Sequence, residues 1–279
     1  MTADVVSRLV DGVEVFALLD VRGPFFEPVR AAFTGATEAD WDDAQRIDPD
    51  AFASDGTWTL AFRAFVVRGP GLRTTLIDAG VGPEGGPAAS WAPGPGHLLE
   101  RFDDIDLDPA DIEDVVLTHL HSDHYGWSID RTGAPTFVNA QYVLQRREVE
   151  HLTIDDAAIG HVIEPLRAAG QLQLLDGPVR LGRSRSGVAL GVILTPGHTP
   201  GHHSVTVEGR HERIVIAGDV IVHAVQLVNP DVTYRFEAEP SVAARTRRSV
   251  VRPDNTRRLL LASAHLTAPF LELSSPDDR

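Results

Sequence analysis

The sequence predicts an α/β fold, read as a sandwich of β-sheets covered by helices. Three observations carry this reading. Strand-rich stretches fill the N-terminal third and return from residue 171 to 217, with helical spacing between and after them. No strand is followed by a GxGxxG turn, so one doubly wound sheet built around a dinucleotide has no support. A chain of 279 residues with 43% apolar residues can bury a large core, and one domain over residues 1–279 is expected.

The elements follow in chain order. Val13–Leu19, Trp58–Val67 and Arg73–Asp78 are apolar, β-rich runs, and the third ends in the turn cluster Asp78-Ala79-Gly80-Val81-Gly82. The Gly- and Pro-rich stretch Gly82–Gly96 predicts a surface loop, and Pro24–Asp55 is also read as loop. His97–Phe102 suits a helix. Asp108-Pro109 opens a short one, with Asp as N-cap and Pro at the first helical position. Asp114–Leu120 reads as a buried strand and Gln141–Gln145 as another. Arg147–His151 and Asp156–Ala169 have helical character. Strands then follow at Gln171–Leu175, Val188–Leu194, His203–Val207 and Arg213–Ala217. A helix near Ser241–Val251, a strand at Leu259–Ser263 and a disordered tail at Ser274–Arg279 complete the prediction.

Composition removes several function classes. Cysteine is absent, so there is no disulfide framework, thiol nucleophile or thiolate metal site. Lysine is absent too: all 25 basic side chains are Arg, which excludes Schiff-base chemistry and a P-loop lysine. A net charge of -15 speaks against nucleic acid as a partner. The apolar run near Leu259–Leu271 is broken by His265 and falls short of the ~20 residues that span a bilayer. Asp4, Arg8, Asp11 and Glu14 stand where a signal peptide needs an apolar core. The expectation is a soluble, cytoplasmic, acidic protein with a small-molecule substrate and no nucleic-acid or membrane partner.

The chemistry concentrates in Thr118-His119-Leu120-His121-Ser122-Asp123-His124, which follows an apolar strand. Residues two apart on an extended segment point the same way, so His119 and His121 can converge on one metal. A turn then directs Asp123 and His124 towards a second. Further ligands are needed from elsewhere. His198 is presented by the stiff loop Thr195-Pro196-Gly197-His198-Thr199-Pro200-Gly201-His202. Asp219 ends the apolar run Ile214–Ala217 after Gly218, where a buried carboxylate needs a partner. His265 ends the run Leu259–Ala264. Each lies at the end of a strand, where side chains from different strands can meet.

This ordered set resembles the metallo-β-lactamase superfamily, from Leu76-Ile77-Asp78-Ala79-Gly80 to Ala264-His265. The resemblance implies an αββα sandwich of two mixed β-sheets flanked by helices, with a dinuclear metal site at one edge. It implies His119, His121 and His198 on one metal, Asp123, His124 and His265 on the other, and Asp219 bridging them. Asp78 would support the metal loops without binding metal. Two divalent ions, Zn²⁺ first among them, suit ligands that are all N or O. They would hold a bridging hydroxide that attacks an ester, lactone or phosphotriester. Asp123 is expected to orient that hydroxide and take its proton. Asp123 and Asp219 are thus the expected catalytic carboxylates.

Gly218–Leu227 with Asn229-Pro230-Asp231 looks like the methyl parathion hydrolase and lactonase-like branch, which implies a possible homodimer. Departures accompany the likeness. Lactonases that open acyl-homoserine lactones often carry Tyr three residues after the bridging Asp, where this chain has Val222. The Cys or Lys of well-known zinc β-lactamases has no counterpart. A glyoxalase II-like thioesterase and a mono-iron persulfide-dioxygenase-like oxidoreductase are the alternatives. The first lacks a recognisable glutathione-binding region, since Arg245–Arg258 reads as a solvated helix face. The second is opposed by the full second ligand set.

Other candidates carry less. His202 reads equally as structural or as a residue orienting His198 or a carboxylate. His203 reads as structural, and so first does His223, with a place in the pocket wall as its alternative. His97, His151, His161 and His211 read as surface or structural. The acidic run Asp103–Asp114 lacks calcium-loop spacing and reads as a solvated face. Phe25, Phe26, Trp41, Trp58, Trp91 and Trp127 read first as core or interface, with a substrate pocket as the alternative. Trp127 is the best placed of these. Tyr125 and Tyr234 are weaker candidates for donors to an oxyanion. Substrate specificity is assigned to the loops Pro24–Asp55 and Gly80–Gly96.

Overall fold

The apolar runs pair into two large sheets. The computed structural model describes residues 3–253 and 256–273, so the Ser274–Arg279 tail lies outside the described residues. One sheet has seven strands in the order β1 (Val5–Val10), β2 (Val13–Pro28), β4 (Thr57–Arg68), β5 (Thr75–Ile77), β6 (Asp114–Val116), β7 (Gln141–Gln145) and β8 (Leu172–Leu175). It is antiparallel up to β5 and parallel from there. The other has six, in the order β15 (Phe270–Leu273), β14 (Arg258–Ala262), β12 (Glu212–Ile216), β11 (His203–Glu208), β10 (Ala189–Leu194) and β9 (Val179–Arg183). Only its β12–β14 pair is parallel. A ribbon of β3 (Phe33–Thr34) and β13 (Thr233–Tyr234) lies apart from both.

Period-two alternation assigns each strand's faces. Val13, Val15, Ala17, Phe65 and Val67 meet Ile214, Ile216, Leu260 and Ala262 in the layer between the sheets. The intervening Phe16, Leu18, Ala64 and Val66 pack outward against Leu98, Phe102, Val162 and Leu166 of the helical layer. On the opposite outer face, Val215, Leu259 and Leu261 share a cluster with Trp41, Ala44, Val225 and Val250. Strands buried on both faces carry apolar residues at nearly every position, which is why they read as continuous runs. The expected αββα sandwich of two mixed sheets is the observed architecture.

Several boundaries differ from expectation. The strand expected at Asp114–Leu120 ends at Val116, because the Thr118 N–H is drawn to the Asp78 carboxylate at 2.7 Å and leaves the ladder. The supposed loop Pro24–Asp55 holds the end of β2, the ribbon strand β3 and a helix at Glu38–Ile47. Thr37 and Asp40 start that helix with a reciprocal capping box. The Asp156–Ala169 helix is a π-helical turn, Ile159–Ile163, followed by Glu164–Ala168; Pro165, without an N–H, interrupts regular bonding between them. Arg245–Arg258 is not a uniformly solvated face: Arg247 is fully buried and paired with Glu237. Among the described residues no helix is long and apolar enough to cross a membrane.

Candidate metal centre

All seven residues singled out as ligands meet where the strands end. His119 and His121 sit on the segment leaving β6, and the short helix Ser122–Tyr125 carries Asp123 and His124. His198 comes from the β10–β11 connection, Asp219 from the turn Gly218–Val220 after β12, and His265 from the segment after β14. Ligand atoms of His119, His121, His198 and Asp219 lie within 4.8 Å of one another, and so do those of Asp123, His124 and His265. Asp219 faces both groups. Its Oδ2 is 3.1 Å from His198 Nε2, and its Oδ1 is 2.9 Å from His265 Nε2 and 3.2 Å from His124 Nε2.

The surrounding hydrogen bonds fix how these rings are turned. The Thr118 hydroxyl donates to Asp78 Oδ2 at 2.9 Å, so its oxygen accepts from His119 Nδ1 at 3.1 Å. His124 Nδ1 donates to Asp78 Oδ2 at 2.8 Å, and His265 Nδ1 donates to the Ala61 carbonyl at 2.9 Å. His119 therefore turns a bare Nε2 lone pair inward, and His124 and His265 point an Nε2 inward that can bind a metal once its proton leaves. Asp78 plays the supporting part implied for it, from a left-handed backbone (φ 59°) that Asp tolerates better than most residues.

His202 belongs to the same framework. The Ser204 hydroxyl donates to the Ala217 carbonyl, so it accepts from Thr195, which in turn accepts from His202 Nδ1. That leaves His202 Nε2 to accept the Asp219 N–H at 3.0 Å. Gly218 makes this approach possible: its φ is +54°, and a Cβ there would stand 2.7 Å from His202 Nε2 and 2.9 Å from Thr118 Oγ1.

The donor set fits divalent cations. His119 Nε2, His124 Nε2 and Asp219 Oδ1 are buried without a hydrogen-bond donor or acceptor, at the centre of five imidazoles and two carboxylates. Such groups are costly to bury unless a cation joins them. Burial, with the neighbouring imidazoles, holds His119 and His121 well below the usual histidine range, His121 at about 3. They are neutral, as metal ligands must be. Burial also works against the charged forms of His124 and His265, but the Asp123 and Asp219 carboxylates outweigh it and raise both. Burial alone would raise Asp123 and Asp219; the surrounding imidazoles outweigh it and hold both low.

A cavity of about 350 Å³ opens onto the ligands. Its apolar wall is Phe25, Phe26, Leu60, Trp91, Val222, Tyr234 and Phe236. Phe25, Phe26 and Trp91 thus take the pocket role. Trp41 and Trp58 are core, and His223 is packed among Phe33, Trp41, Phe52 and Trp58 away from the pocket, as its structural reading had it. Trp127, expected as the best-placed aromatic, turns away and donates to Asp20 Oδ1 at 3.0 Å. Tyr125 lies outside this cavity, whereas Tyr234 lines it. The Gly82–Gly96 loop is not merely surface: Trp91 donates to Ser122 Oγ at 3.1 Å, between two ligands.

Sequence reasoning missed several supporting groups. Glu148 is buried and accepts from Leu120 N, Thr199 Oγ1 and Gly201 N, joining two ligand loops. Arg63 is buried and donates to the carbonyls of Leu266 and Thr267, just past His265. Asp20 accepts from Val81 N at 2.6 Å and Leu98 N at 2.7 Å, closing both ends of the Trp91 loop. Arg63 interrupts an apolar strand and Asp20 follows one, which is the signal that was available for each. Glu148 lies in a charged helical stretch and gave none.

Comparisons with known proteins place the fold in a family. The metallo-beta-lactamase superfamily profile matches residues 63–260, and the chain belongs to that superfamily. It is 35% identical over 113 residues to the N-acyl homoserine lactonase AttM of Rhizobium radiobacter, over 39% of this chain and 41% of that protein. It is 30% identical over 114 residues to an N-acyl homoserine lactonase of Bacillus sp, over 40% of this chain and 38% of that one. The chain thus spans about two fifths of the length of these curated relatives. Among solved structures it is similar to the beta lactamase superfamily hydrolase AbOPH, with a TM-score of 0.77 and 25% identity over 99% of this chain and 95% of that one. The fold also matches AidC, a dizinc quorum-quenching lactonase, with a TM-score of 0.72 and 21% identity over 98% and 95% of the two chains.

Proposed function

We propose that this chain is a metal-dependent hydrolase that cleaves an ester, lactone or phosphotriester bond of a small, neutral, apolar substrate. The observation that carries the reading is the joining of two ligand groups by Asp219 at the floor of an aromatic-walled cavity. His119, His121, His198 and Asp219 would hold one divalent ion, and Asp123, His124 and His265 the other, with Asp219 shared. Two zinc ions there would supply Lewis acidity and lower the pKa of water towards ~7.

The chain's own residues supply the rest. Asp123 lines the cavity and is held ionised by its imidazole neighbours, so it can accept the attacking water's proton. Phe25, Phe26, Trp91 and Phe236 cover the apolar part of the substrate and exclude water. No Arg lines the cavity, so nothing there would grip the carboxylates of glutathione. That favours a neutral substrate over the thioesterase alternative, in line with lactonases among the relatives.

The test is a matched rate panel on the zinc-reconstituted chain: an acyl lactone, an aryl ester, a dialkyl aryl phosphotriester and a glutathione thioester, each with a chelator control. A chelator-sensitive preference for one of the first three is expected. Negligible rates on all four in a protein that holds two metals would refute the reading. Asp219→Ala should lose both metal and turnover.

A further inference from the structure

Tyr234 is the unexplained polar group in this cavity. Its side chain is 6% exposed and enclosed by rings. Phe33 stacks on it at 5.0 Å between centroids, Phe236 meets it edge-on at 5.3 Å and Trp58 at 6.2 Å. None of the described hydrogen bonds uses its hydroxyl. The hydroxyl is nevertheless not among the side-chain atoms buried without a partner, so it is open to solvent. Tyr234 lines the same cavity as His198, Asp219 and Val222.

Its position relative to the ligands is fixed by the fold. The ring lies parallel to that of His198, with an 8° tilt and centroids 6.2 Å apart. The next residues tie to the His198 loop: Ala238 N donates to the His198 carbonyl and Glu239 N to that of Gly197, both at 2.9 Å. Buried Arg247 braces the segment on the other side. It donates to the carbonyls of Pro230 and Val232 at 2.9 Å and pairs with Glu237. Burial pushes the phenol's ionisation well above the usual tyrosine range, which favours the protonated, donating form. Ser122, the other hydroxyl on this wall outside the ligand groups, accepts from Trp91 and keeps its own O–H free.

We propose that Tyr234 is a catalytic residue whose hydroxyl donates a hydrogen bond to the substrate's carbonyl or phosphoryl oxygen as that oxygen gains charge. This rests on the hydrolase reading above. For an ester, the water oxygen's lone pair forms the bond to the carbonyl carbon while its proton passes to Asp123. The π pair moves onto the carbonyl oxygen, where Tyr234 donates without giving up its proton. The C=O then re-forms, the C–O bond to the leaving group breaks with its electron pair, and the alkoxide takes the proton from Asp123. The donor comes from the β3–β13 ribbon, not from position 222, where Val only adds apolar surface.

The experiment compares zinc-loaded wild type with Tyr234→Phe, which preserves the ring packing. One arm measures kcat and KM on aryl esters whose leaving groups differ in pKa. The other measures calorimetric affinity for an alkylphosphonate, which mimics the tetrahedral oxyanion, and for the matching neutral amide. Expected are a kcat lower by about 10²–10³, as for loss of one oxyanion donor, and KM within about twofold. The kcat loss should be equal across leaving groups. Phosphonate affinity should fall about tenfold or more while amide affinity holds. Unchanged kcat and phosphonate affinity, at equal zinc content, would overturn the proposal; so would a loss that grows with leaving-group pKa. Negligible wild-type rates on esters, lactone, phosphotriester and thioester alike would instead strike the hydrolase reading, and the phosphonate arm would still decide whether Tyr234 donates to an oxyanion.

Discussion

The Nε2 of His202 accepts the backbone N–H of Asp219 at 3.0 Å, so a histidine outside both ligand groups sets the carboxylate shared between them. The bond has one direction only, because the Thr195–Ser204–Ala217 chain leaves His202 no proton on that nitrogen. Burial drives the His202 imidazole well below the usual range, which keeps the acceptor available. His202→Phe keeps much of the ring's shape and leaves the Asp219 N–H unpaired. Zinc affinity should fall about 10–100-fold, as for other residues that orient metal ligands. Competition with a chromophoric chelator measures it, and wild-type affinity in the variant would refute the role.

Metal binding should release protons. His124 and His265 are raised because the Asp123 and Asp219 carboxylates outweigh the effect of burial. Without metal both rings stay charged above pH 6.5. A raised histidine contributes stability that is complete below its unfolded pKa and is lost as pH rises through its folded value. The metal-free chain should therefore weaken on the alkaline side of neutrality. Zinc displaces those protons and removes that dependence. Calorimetric zinc titrations in phosphate and in Tris buffer should give different apparent enthalpies, since the buffers differ in ionisation enthalpy. Equal enthalpies would show that no proton leaves.

The legible parts of the molecule share a cause. His119, Asp219 and His265 lie just past apolar runs, and runs buried on both faces advertise themselves by composition. What stayed hidden is held by contacts between segments remote in sequence. Helix Glu38–Ile47 has only four apolar side chains, Ala39, Trp41, Ala44 and Ile47, two of them alanines, so its periodicity is faint, and the Thr37–Asp40 capping box is the clearest local cue. Trp127 follows His124 by three residues, yet its indole serves Asp20, 107 residues earlier. Arg247 looked solvated among neighbouring arginines because nothing near it in sequence reveals Glu237. Position along the chain predicted which His and Asp residues cluster, but it could not say which way a tryptophan or arginine turns.

Glu148 offers a test of how the ligand loops are held together. Its Oε1 accepts from Leu120 N, between His119 and His121, at 3.2 Å. Its Oε2 accepts from Thr199 Oγ1 and Gly201 N, beyond His198, at 2.9 Å each. Glu148→Ala would leave three buried donors unpaired, at a cost of about 1–3 kcal/mol for each that water cannot reach. A total near 3 kcal/mol lowers Tm by about 6–12 °C at this chain length. Scanning calorimetry of the metal-free chain isolates the effect from metal loss. A shift under about 2 °C would mean that water replaces the carboxylate.

Asp20 should impose a pH dependence of its own. Burial lifts its carboxyl from the ordinary 3.8 to about 6, against the opposing pull of Val81 N–H and the Trp127 indole. The folded chain therefore holds the proton more tightly than the unfolded chain. This group's contribution to stability is complete below pH 3.8 and is lost as pH rises towards about 6. The loss amounts to about 3 kcal/mol, at 1.36 kcal/mol per pKa unit. Asp20→Asn removes the titration but turns an amide N–H₂ towards a donor, so the variant should be weaker at acid pH and should close the gap as pH approaches 6. Urea unfolding of both chains from pH 4 to 7 reads the difference, with contributions from all other groups cancelling. Parallel curves would show that Asp20 titrates normally. The Trp91 loop would then be held by an ordinary carboxylate.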